Sequence, residues 1–275
     1  MRRFAASASA CIESRSHSRP GADEVGARID FNCDLGEGCG DDAAIVPHIS
    51  SASIACGGHA GDEASMAAAV ALCMAHGVAI GAHPSFEDRA HFGRRELDLP
   101  PPAIHDLVRE QASRLLAVCG RAGARLHHVK PHGALYNLAA RDRAVADAIA
   151  AAVHGIDPGL WLYALAGSAL ARAGRAAGLR VAEEAFAERG YTADGRLAPR
   201  GTPGAVIERL EDALAQVRSI VREGVVTAVD GIRVPMRADT LCLHGDRDDA
   251  ACFAAALRRC LEDEGITIST PGSPQ

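Results

Sequence analysis

The sequence predicts a single α/β domain built as a seven-stranded parallel β/α barrel. Seven short β-prone runs end in polar or glycine residues, and alanine-rich stretches with helical spacing lie between them, which is the pattern of consecutive βαβ units. The 275-residue length suits one barrel domain. A composition of 48% apolar but only 4% aromatic residues favours small-residue helices packed closely around a core. An open, doubly wound parallel sheet is the alternative arrangement of the same elements.

The predicted barrel domain covers residues 28–268. Residues 1–27, rich in Ser, Ala and Arg, are interpreted as a disordered leader, with a transit peptide, a tag and a misassigned start codon as alternatives, and 269–275 as a disordered tail. In chain order the predicted strands are 28–34, 51–57, 77–83, 125–131, 160–166, 179–186 and 239–245. The predicted helices are 62–76, 101–120, 140–154, 168–177, 204–223 and 247–264. Two long connections, 86–102 and 188–203, are expected to lie over the carboxyl ends of the strands.

The composition argues against several classes of protein. A net charge of -6 without an arginine-rich stripe is atypical of nucleic-acid binding. No apolar run approaches the roughly 20 residues that span a bilayer. The nine cysteines are odd in number and contain no CxxC pair, so we interpret them as free, mostly buried thiols in a reducing compartment. The sequence therefore predicts a cytoplasmic protein without a nucleic-acid or membrane partner.

One basic residue differs from all the others. Of the 29 Lys and Arg residues, Lys130 is the sole lysine. Lysine can lose its proton on burial, whereas arginine effectively cannot, so this exception marks Lys130 for attention.

Side-chain alternation assigns polar residues to the inner face of the predicted barrel. Asp30, Asn32 and Asp34 share one face of the first strand, opposite its apolar face, and His128 and Lys130 share a face of the fourth. Polar side chains inside a barrel are costly unless they line a site or bond one another. This pattern predicts a polar site within the barrel.

Five of the predicted strands end in Asp, His or Lys, and the carboxyl ends of barrel strands meet at one rim. A single histidine at a strand end is more often a hydrogen-bonded core residue than a catalyst. Five such ends at one rim reverse that preference. The predicted catalytic residues are Asp34, Glu37, His59, His83, Lys130, His132, His244 and Asp246.

Acids, imidazoles and one amine favour proton transfer and hydrolysis, with or without a metal ion. The sequence has no GxxxxGK[ST] phosphate loop, no GxGxxG after the first strand and no GxSxG elbow. A familiar ATP cradle, a nicotinamide cofactor and a serine nucleophile are therefore disfavoured.

Six motifs, in this order and spacing, resemble the LamB/YcsF family from about residue 29 to 266. They are NCDLGEGCGDD (32–42), SSASIACGGHAGD (50–62), GVAIGAHPSFEDRAHFGRRELDLPP (77–101), HHVKPHGALYN (127–137), FAERGYTADGRLAPR (186–200) and TLCLHGD (240–246). The sequence departs from the family pattern at three positions: Ser53 where Asn is usual, Gly58 where an aromatic is usual, and Glu188 where Asp is usual.

The resemblance implies a barrel of the glycoside hydrolase/deacetylase type. It also implies 5-oxoprolinase activity, in which 5-oxo-L-proline, ATP and water give L-glutamate, ADP and phosphate. ATP is then a co-substrate handled mostly by two partner subunits, B and C, which accounts for the missing phosphate loop. Ser53 and Gly58 lie close to His59 in the sequence, and these two differences from the family pattern are expected to alter the shape of the pocket.

Roles follow as hypotheses. Asp34 or Asp246 is the candidate base, the histidines are candidate acids or bases, and Lys130 is a candidate stabiliser of negative charge. The candidate substrate-binding residues are Asn32, His128, Arg189 and Arg200, of which the two arginines are expected to pair with the substrate carboxylate.

Whether the site binds a metal ion stays open at this point. Asp34, His59 and His83 are the candidate ligands for a divalent metal, and Lys130 is the alternative source of positive charge. Two other functions also stay open: a metal-dependent deacylase that needs no ATP, and a non-catalytic subunit that binds 5-oxoproline.

Overall fold

The computed structural model describes residues 27–273, so the predicted leader, apart from Ala27, lies outside the described residues. The strands in this part of the chain are β1 (Arg28–Leu35), β2 (Ser51–Ala55), β3 (Ala79–His83), β4 (Leu126–Val129), β5 (Trp161–Leu165), β6 (Arg180–Phe186), β7 (Val225–Thr227), β8 (Arg233–Pro235), β9 (Thr240–Leu243) and β10 (Thr267–Ile268). The α-helices are α1 (Asp42–Ile45), α2 (Glu63–His76), α3 (Pro101–Ala122), α4 (Gly133–Arg141), α5 (Arg143–Ile156), α6 (Ala169–Ala176), α7 (Leu210–Arg218) and α8 (Ala250–Asp263).

Strands β1 to β6 and β9 form a closed parallel barrel. Each strand pairs with the next along the chain, β6 pairs with β9, and β9 pairs back with β1. The register at the closure places Asp30 beside Thr240 and Cys33 beside Leu243. The prediction of a seven-stranded parallel barrel is thus confirmed, and the open-sheet alternative is wrong, because β9 pairs with both β6 and β1 and leaves no open edge between them.

Local signals explain where the helices of the barrel begin and end. Helix α2 begins with a reciprocal capping box between Asp62 and Ser65 and ends at Gly77, which adopts the left-handed conformation. Helix α3 ends in the same way at Gly123. After each of these glycines the chain turns back and enters the next strand, β3 after α2 and β4 after α3. Among the described residues no helix is both long and apolar enough to cross a membrane.

Some elements differ from the prediction. The stretch predicted as one helix over 140–154 is the end of α4 and the start of α5, because the Asp142 side chain accepts hydrogen bonds from the Ala144 and Val145 amides and starts a new helix. In the stretch 204–223, the α-helix begins only at Leu210 and widens into a π-helical turn at 219–223. The short hairpin of β7 and β8 was not predicted, although its Asp230-Gly231 pair is a turn signal.

Asp30, the inward-facing polar residue nearest the amino end of β1, links several strands at the bottom of the barrel. Asp30 is buried, and its carboxylate accepts hydrogen bonds from the hydroxyls of Ser50 (2.6 Å), Ser51 (2.7 Å), Thr240 (2.6 Å) and Tyr163 (3.0 Å). Burial raises the pKa of Asp30 above its usual value, although these four hydrogen bonds oppose the shift. Asp30 is therefore a structural residue, one layer below the site.

Residues 269–273 lie against the amino end of the barrel. The Thr270 hydroxyl donates to the Ser50 carbonyl (3.1 Å), and the His127 Nε2 donates to the Pro271 carbonyl (3.1 Å). The segment predicted as a disordered tail therefore has defined contacts over its described part.

Candidate active site

The carboxyl ends of the barrel strands open into a cleft of ≈ 880 Å³. Its walls come from α4, the connection after β3 and the long connection after β6. The polar residues at its floor are Asp34, His83, Lys130, His132, Glu184 and His244, and the arginines at its sides are Arg94, Arg141, Arg189, Arg196 and Arg200. Four of the five strand ends predicted to converge, those of β1, β3, β4 and β9, therefore meet in this cleft, and His59 lies beside it, stacked on His132.

Lys130 is at the centre of the floor and is almost completely buried. Its Nζ lies 2.6 Å from Asp34 Oδ1 and donates to Asn32 Oδ1 (2.8 Å), Glu184 Oε1 (3.2 Å) and Cys242 Sγ (3.3 Å). Burial alone would lower the pKa of Lys130, but the charge of Asp34 and its other acidic neighbours raises it well above the usual value. Lys130 is thus an ammonium ion shared between two carboxylates.

Glu184 belongs to this network, although the sequence analysis did not single it out. It is fully buried on β6, and its carboxylate accepts hydrogen bonds from Asn32 Nδ2 (2.9 Å) and Tyr136 Oη (2.7 Å). The signal was present: Ala182, Glu184 and Phe186 share a face of β6, and an acid on that face is as costly as those on β1. Asn32, predicted to bind substrate, instead links Lys130 to Glu184 and does not line the cleft.

Asp34 connects Lys130 with the histidines. Its Oδ2 lies 3.2 Å from His83 Nε2, on the opposite side from its contact with Lys130. Burial raises the pKa of Asp34, but the charges of His83 and Lys130 outweigh burial and hold it well below the usual value. Asp34 is therefore an ionised carboxylate at neutral pH.

The imidazole cluster, made up of His59, His83, His132 and Glu37, adjoins this network. His83 Nδ1 donates to the Lys130 carbonyl (2.8 Å), and His132 Nε2 donates to the Phe92 carbonyl (2.9 Å). The other nitrogens of these two rings, His83 Nε2 and His132 Nδ1, lie 2.9 Å apart. Phe92 presents its carbonyl from a left-handed backbone conformation (φ 54°), which only a few non-glycine residues adopt.

His59 and Glu37 complete the cluster. His59 stacks on His132 with ring centroids 3.7 Å apart, and its Nε2 lies 2.8 Å from Glu37 Oε1. Burial lowers the pKa of His59 to about 4, and burial followed by the charge of Asp34 raises the pKa of Glu37 to about 7. His59 Nδ1 is buried and has no hydrogen-bond partner among the described residues.

His244 and Asp246 follow β9 and are held by different partners. His244 Nδ1 makes a short contact with Glu188 Oε1. Arg94 Nη2 donates to Asp246 Oδ2 (2.5 Å) where both side chains are partly exposed, so Asp246 is an ion-paired residue of the rim. Glu188 keeps the acidic side chain that the family usually supplies as Asp, and it uses that side chain to orient an imidazole.

His128 does not reach the cleft. Its ring stacks on Tyr163 (4.0 Å between centroids), and its Nε2 lies 3.2 Å from the Ser53 hydroxyl. A Cβ at Gly81 would lie 2.0 Å from that Nε2, so the absence of a side chain there makes room for the ring. The structure therefore gives His128 a packing role below the floor, in place of the predicted contact with substrate.

The structure also accounts for Gly58, where an aromatic residue is usual. A Cβ at this position would lie 2.6 Å from Gln111 Oε1 and 2.5 Å from the Ser85 hydroxyl. The Gln111 amide fills the space and binds the Ser85 backbone at both its atoms. Gly58 thus changes the packing behind His59 and does not leave an opening.

The two predicted carboxylate-binding arginines have different environments. Arg189 is buried and donates from Nε to the Ala205 carbonyl (3.0 Å) and from Nη2 to the Ala198 carbonyl (2.8 Å), so it anchors the long connection. Burial lowers its pKa to about 10. Arg200 lines the cleft and has no hydrogen bond or ion pair with the described residues. Arg200 is therefore the arginine that remains available to a ligand.

Comparisons with known proteins found a matching family and similar proteins over most of the chain. The model of the LamB/YcsF family matches residues 29–274. The A subunit of 5-oxoprolinase from Bordetella pertussis is 53% identical over 245 residues, covering 87% of this chain and 97% of that protein. A 5-oxoprolinase A subunit of Bordetella bronchiseptica matches to the same extent. A crystal structure of the lactam utilization protein from Thermus thermophilus is 46% identical with a TM-score of 0.82, covering 88% of this chain and 99% of that one.

Proposed function

The chain belongs to the LamB/YcsF family, and from this premise we propose that it is the A subunit of an ATP-dependent 5-oxoprolinase. The proposed reaction converts 5-oxo-L-proline, ATP and water into L-glutamate, ADP and phosphate. Two kinds of similarity support the proposal: relatives of 53% identity are named as A subunits of 5-oxoprolinase, and a solved structure of similar fold is a lactam utilization protein.

The observation that carries the proposal is the buried ammonium of Lys130 at the floor of the cleft. A lactam is a resonance-stabilised amide, and its opening places negative charge on the carbonyl oxygen. A fixed cation in a site shielded from water stabilises that charge without reorganisation. Asp34, Asn32 and Glu184 hold the Lys130 Nζ in place before substrate binds.

The hydrolytic step needs a base and an acid besides this cation. The oxygen of water adds to the ring carbonyl carbon, the ring C–N bond breaks with its electron pair going to nitrogen, and the nitrogen takes a proton. We assign the base to Asp34, since Asp246 is ion-paired with Arg94 at the rim. We assign the proton donor to His244, because Glu188 holds its Nδ1 and its ring lines the cleft.

Arg200 is the residue that we assign to the substrate carboxylate. A guanidinium can bind a carboxylate through two parallel hydrogen bonds, and Arg200 lines the cleft without a partner among the described residues. The anchored Arg189 takes the supporting role of positioning the connection that carries Arg200.

ATP enters the proposed reaction through partner subunits B and C. Transfer of the terminal phosphoryl group of ATP to the lactam oxygen breaks the bond to ADP and gives an imidate phosphate and a proton. After one water has added and the ring C–N bond has broken, the side-chain carboxyl group carries the phosphate as an acyl phosphate, and a second water releases glutamate and phosphate. We assign this transfer mostly to the partners, because the sequence contains no phosphate loop. We also propose a cytoplasmic location, which the free thiols of the described cysteines support.

Reconstitution tests the proposal. The chain is mixed with subunits B and C, ATP and 5-oxoproline, and glutamate and ADP are measured with each component omitted in turn. We expect both products only from the complete mixture. Absence of glutamate and ADP would refute the proposed activity. Unchanged turnover with the Asp34→Ala chain would show a non-catalytic binding subunit, and amide hydrolysis without ATP that is lost on chelation would favour a deacylase.

A further inference from the structure

We propose that Glu37, His59, His83 and His132 form a binding site for one divalent transition-metal ion of the zinc class. One potential ligand atom from each of the four side chains lies within 4.8 Å of the others. Three imidazole nitrogens and one carboxylate oxygen are a donor set that suits zinc and its neighbours in the first transition row. The proposal concerns metal binding itself and stands whether or not the chain acts on 5-oxoproline.

The first argument comes from the hydrogen bonds of His83 and His132. A backbone carbonyl can only accept, so the Lys130 carbonyl fixes the proton of His83 on Nδ1 and the Phe92 carbonyl fixes that of His132 on Nε2. The other two nitrogens, His83 Nε2 and His132 Nδ1, face each other across 2.9 Å and can share one proton. A metal ion that replaces this proton would find one lone pair on each ring, both directed to the same side of the cluster as Glu37 Oε1, which lies 3.5 Å from His132 Nδ1.

The second argument is that the surroundings suit a metal ion. Histidine ligands in proteins usually donate their other ring nitrogen to a carbonyl or a carboxylate, as His83 and His132 do. His83 and His132 also line the cleft, so an ion can enter from solvent.

The third argument separates Asp34 from the ligand set, because the group of four side chains does not include it and its Oδ2, 3.2 Å from His83 Nε2, is a neighbouring negative charge. Its Oδ1 is paired with the Lys130 ammonium at 2.6 Å, and that ammonium also contacts Cys242 Sγ. A second set of potential metal ligands, made up of Asp34, Cys242 and His244, therefore already has the positive charge of Lys130 beside it. The triad predicted from the sequence, Asp34, His59 and His83, keeps its histidines but exchanges the aspartate for Glu37 and His132.

A zinc-class ion in this position would supply a Lewis acid or an activated water beside the floor of the cleft. The chain's own residues do the positioning. Phe92 and Lys130 hold two of the rings through their carbonyls, and the stacking of His59 on His132 fixes the third.

Metal content and the spectrum of bound cobalt test the proposal without any assay of activity. The full chain is stripped with a chelator and dialysed, and it is then titrated with Zn²⁺ by calorimetry and with Co²⁺ by visible absorption. We expect one ion per chain and a cobalt spectrum of nitrogen and oxygen ligands. An intense near-ultraviolet band from a thiolate would place the ion at Cys242 and overturn the proposal, as would the absence of uptake by the wild-type chain.

Variants assign the ligands. We expect His132→Gln and Glu37→Gln each to weaken Zn²⁺ binding at least about tenfold, while the matched control His91→Gln, an exposed histidine paired with Asp88, binds as the wild type does. Binding by both ligand variants that equals the wild type would refute the assignment. If circular dichroism shows that a variant is unfolded, the stoichiometry and the cobalt spectrum of the wild-type chain decide.

Discussion

Replacing Lys130 by methionine removes the ammonium ion that Asp34, Asn32 and Glu184 share. The methionine keeps the length and apolar character of the lysine chain, so the barrel interior stays filled. The perturbation therefore isolates the ammonium, whose Nζ contacts Asp34 at 2.6 Å, Asn32 at 2.8 Å and Glu184 at 3.2 Å.

The expected loss of stability follows from what the substitution leaves behind. Asp34 and Glu184 are both buried and would face each other's charge without the ammonium. Removing one partner of a buried ion pair costs about 3–5 kcal/mol, because the remaining charge stays desolvated. A double variant, Lys130→Met with Glu184→Gln, removes one of the two surplus charges and should recover part of that loss.

Urea unfolding of the wild type, both single variants and the double variant measures these free energies. We expect the single Lys130→Met variant to lose about 3–5 kcal/mol and the double variant to lose less. The reconstituted assay should show a loss in kcat of at least about 100-fold, as for removal of an oxyanion-stabilising group. A stability loss below about 1 kcal/mol for Lys130→Met, or a double variant less stable than Lys130→Met, would refute the reasoning.

Three further predictions follow from single residues. The folded protein raises the pKa of Asp30, so the contribution of this residue to the free energy of unfolding is present below its usual pKa of 3.8 and is lost as pH rises. In urea unfolding, the Asp30→Asn variant should therefore become more stable relative to the wild type as pH rises. A stability difference between the two that is constant with pH would contradict this. Gly81→Ala would place its Cβ 2.0 Å from a buried ring and should lower the melting temperature, whereas Gly120→Ala, on a helix with open space around it, should gain up to about 1 kcal/mol. Arg200→Ala should raise KM for 5-oxoproline roughly 10- to 100-fold with little change in kcat. The control variant Arg196→Ala should leave KM unchanged, because the Arg196 guanidinium pairs with Asp194 in its own loop. Equal effects of the two substitutions on KM would show that Arg200 does not bind the substrate.

Much of the fold could be predicted because its signals are local. Every barrel strand is a short β-prone run, and every predicted strand is present, within a few residues of its predicted limits. The helix limits were less accurate where a tertiary or capping contact decides them. Asp142 starts a second helix within the predicted 140–154, and the chain reaches Leu210 before it becomes α-helical.

Part of the candidate site was also predictable, since strand ends of a parallel barrel meet at one rim. Lys130, Asp34 and His83 were predicted on that basis and lie together in the cleft. Glu184 was missed because it lies two residues before the end of β6, whereas the prediction considered the residues at the strand ends. Tyr136 was missed because it lies on the part of α4 that was not predicted.

The sequence by itself determined which residues face into the barrel, because side chains alternate along a strand. Only the tertiary structure decided the depth at which each of them lies. Asp30 and Asp34 share a face of β1, yet Asp30 binds four hydroxyls below the site, while Asp34 meets Lys130 in the cleft. His128 and Lys130 are divided in the same way. Depth depends on the stagger between neighbouring strands, and that stagger is set only when the barrel closes.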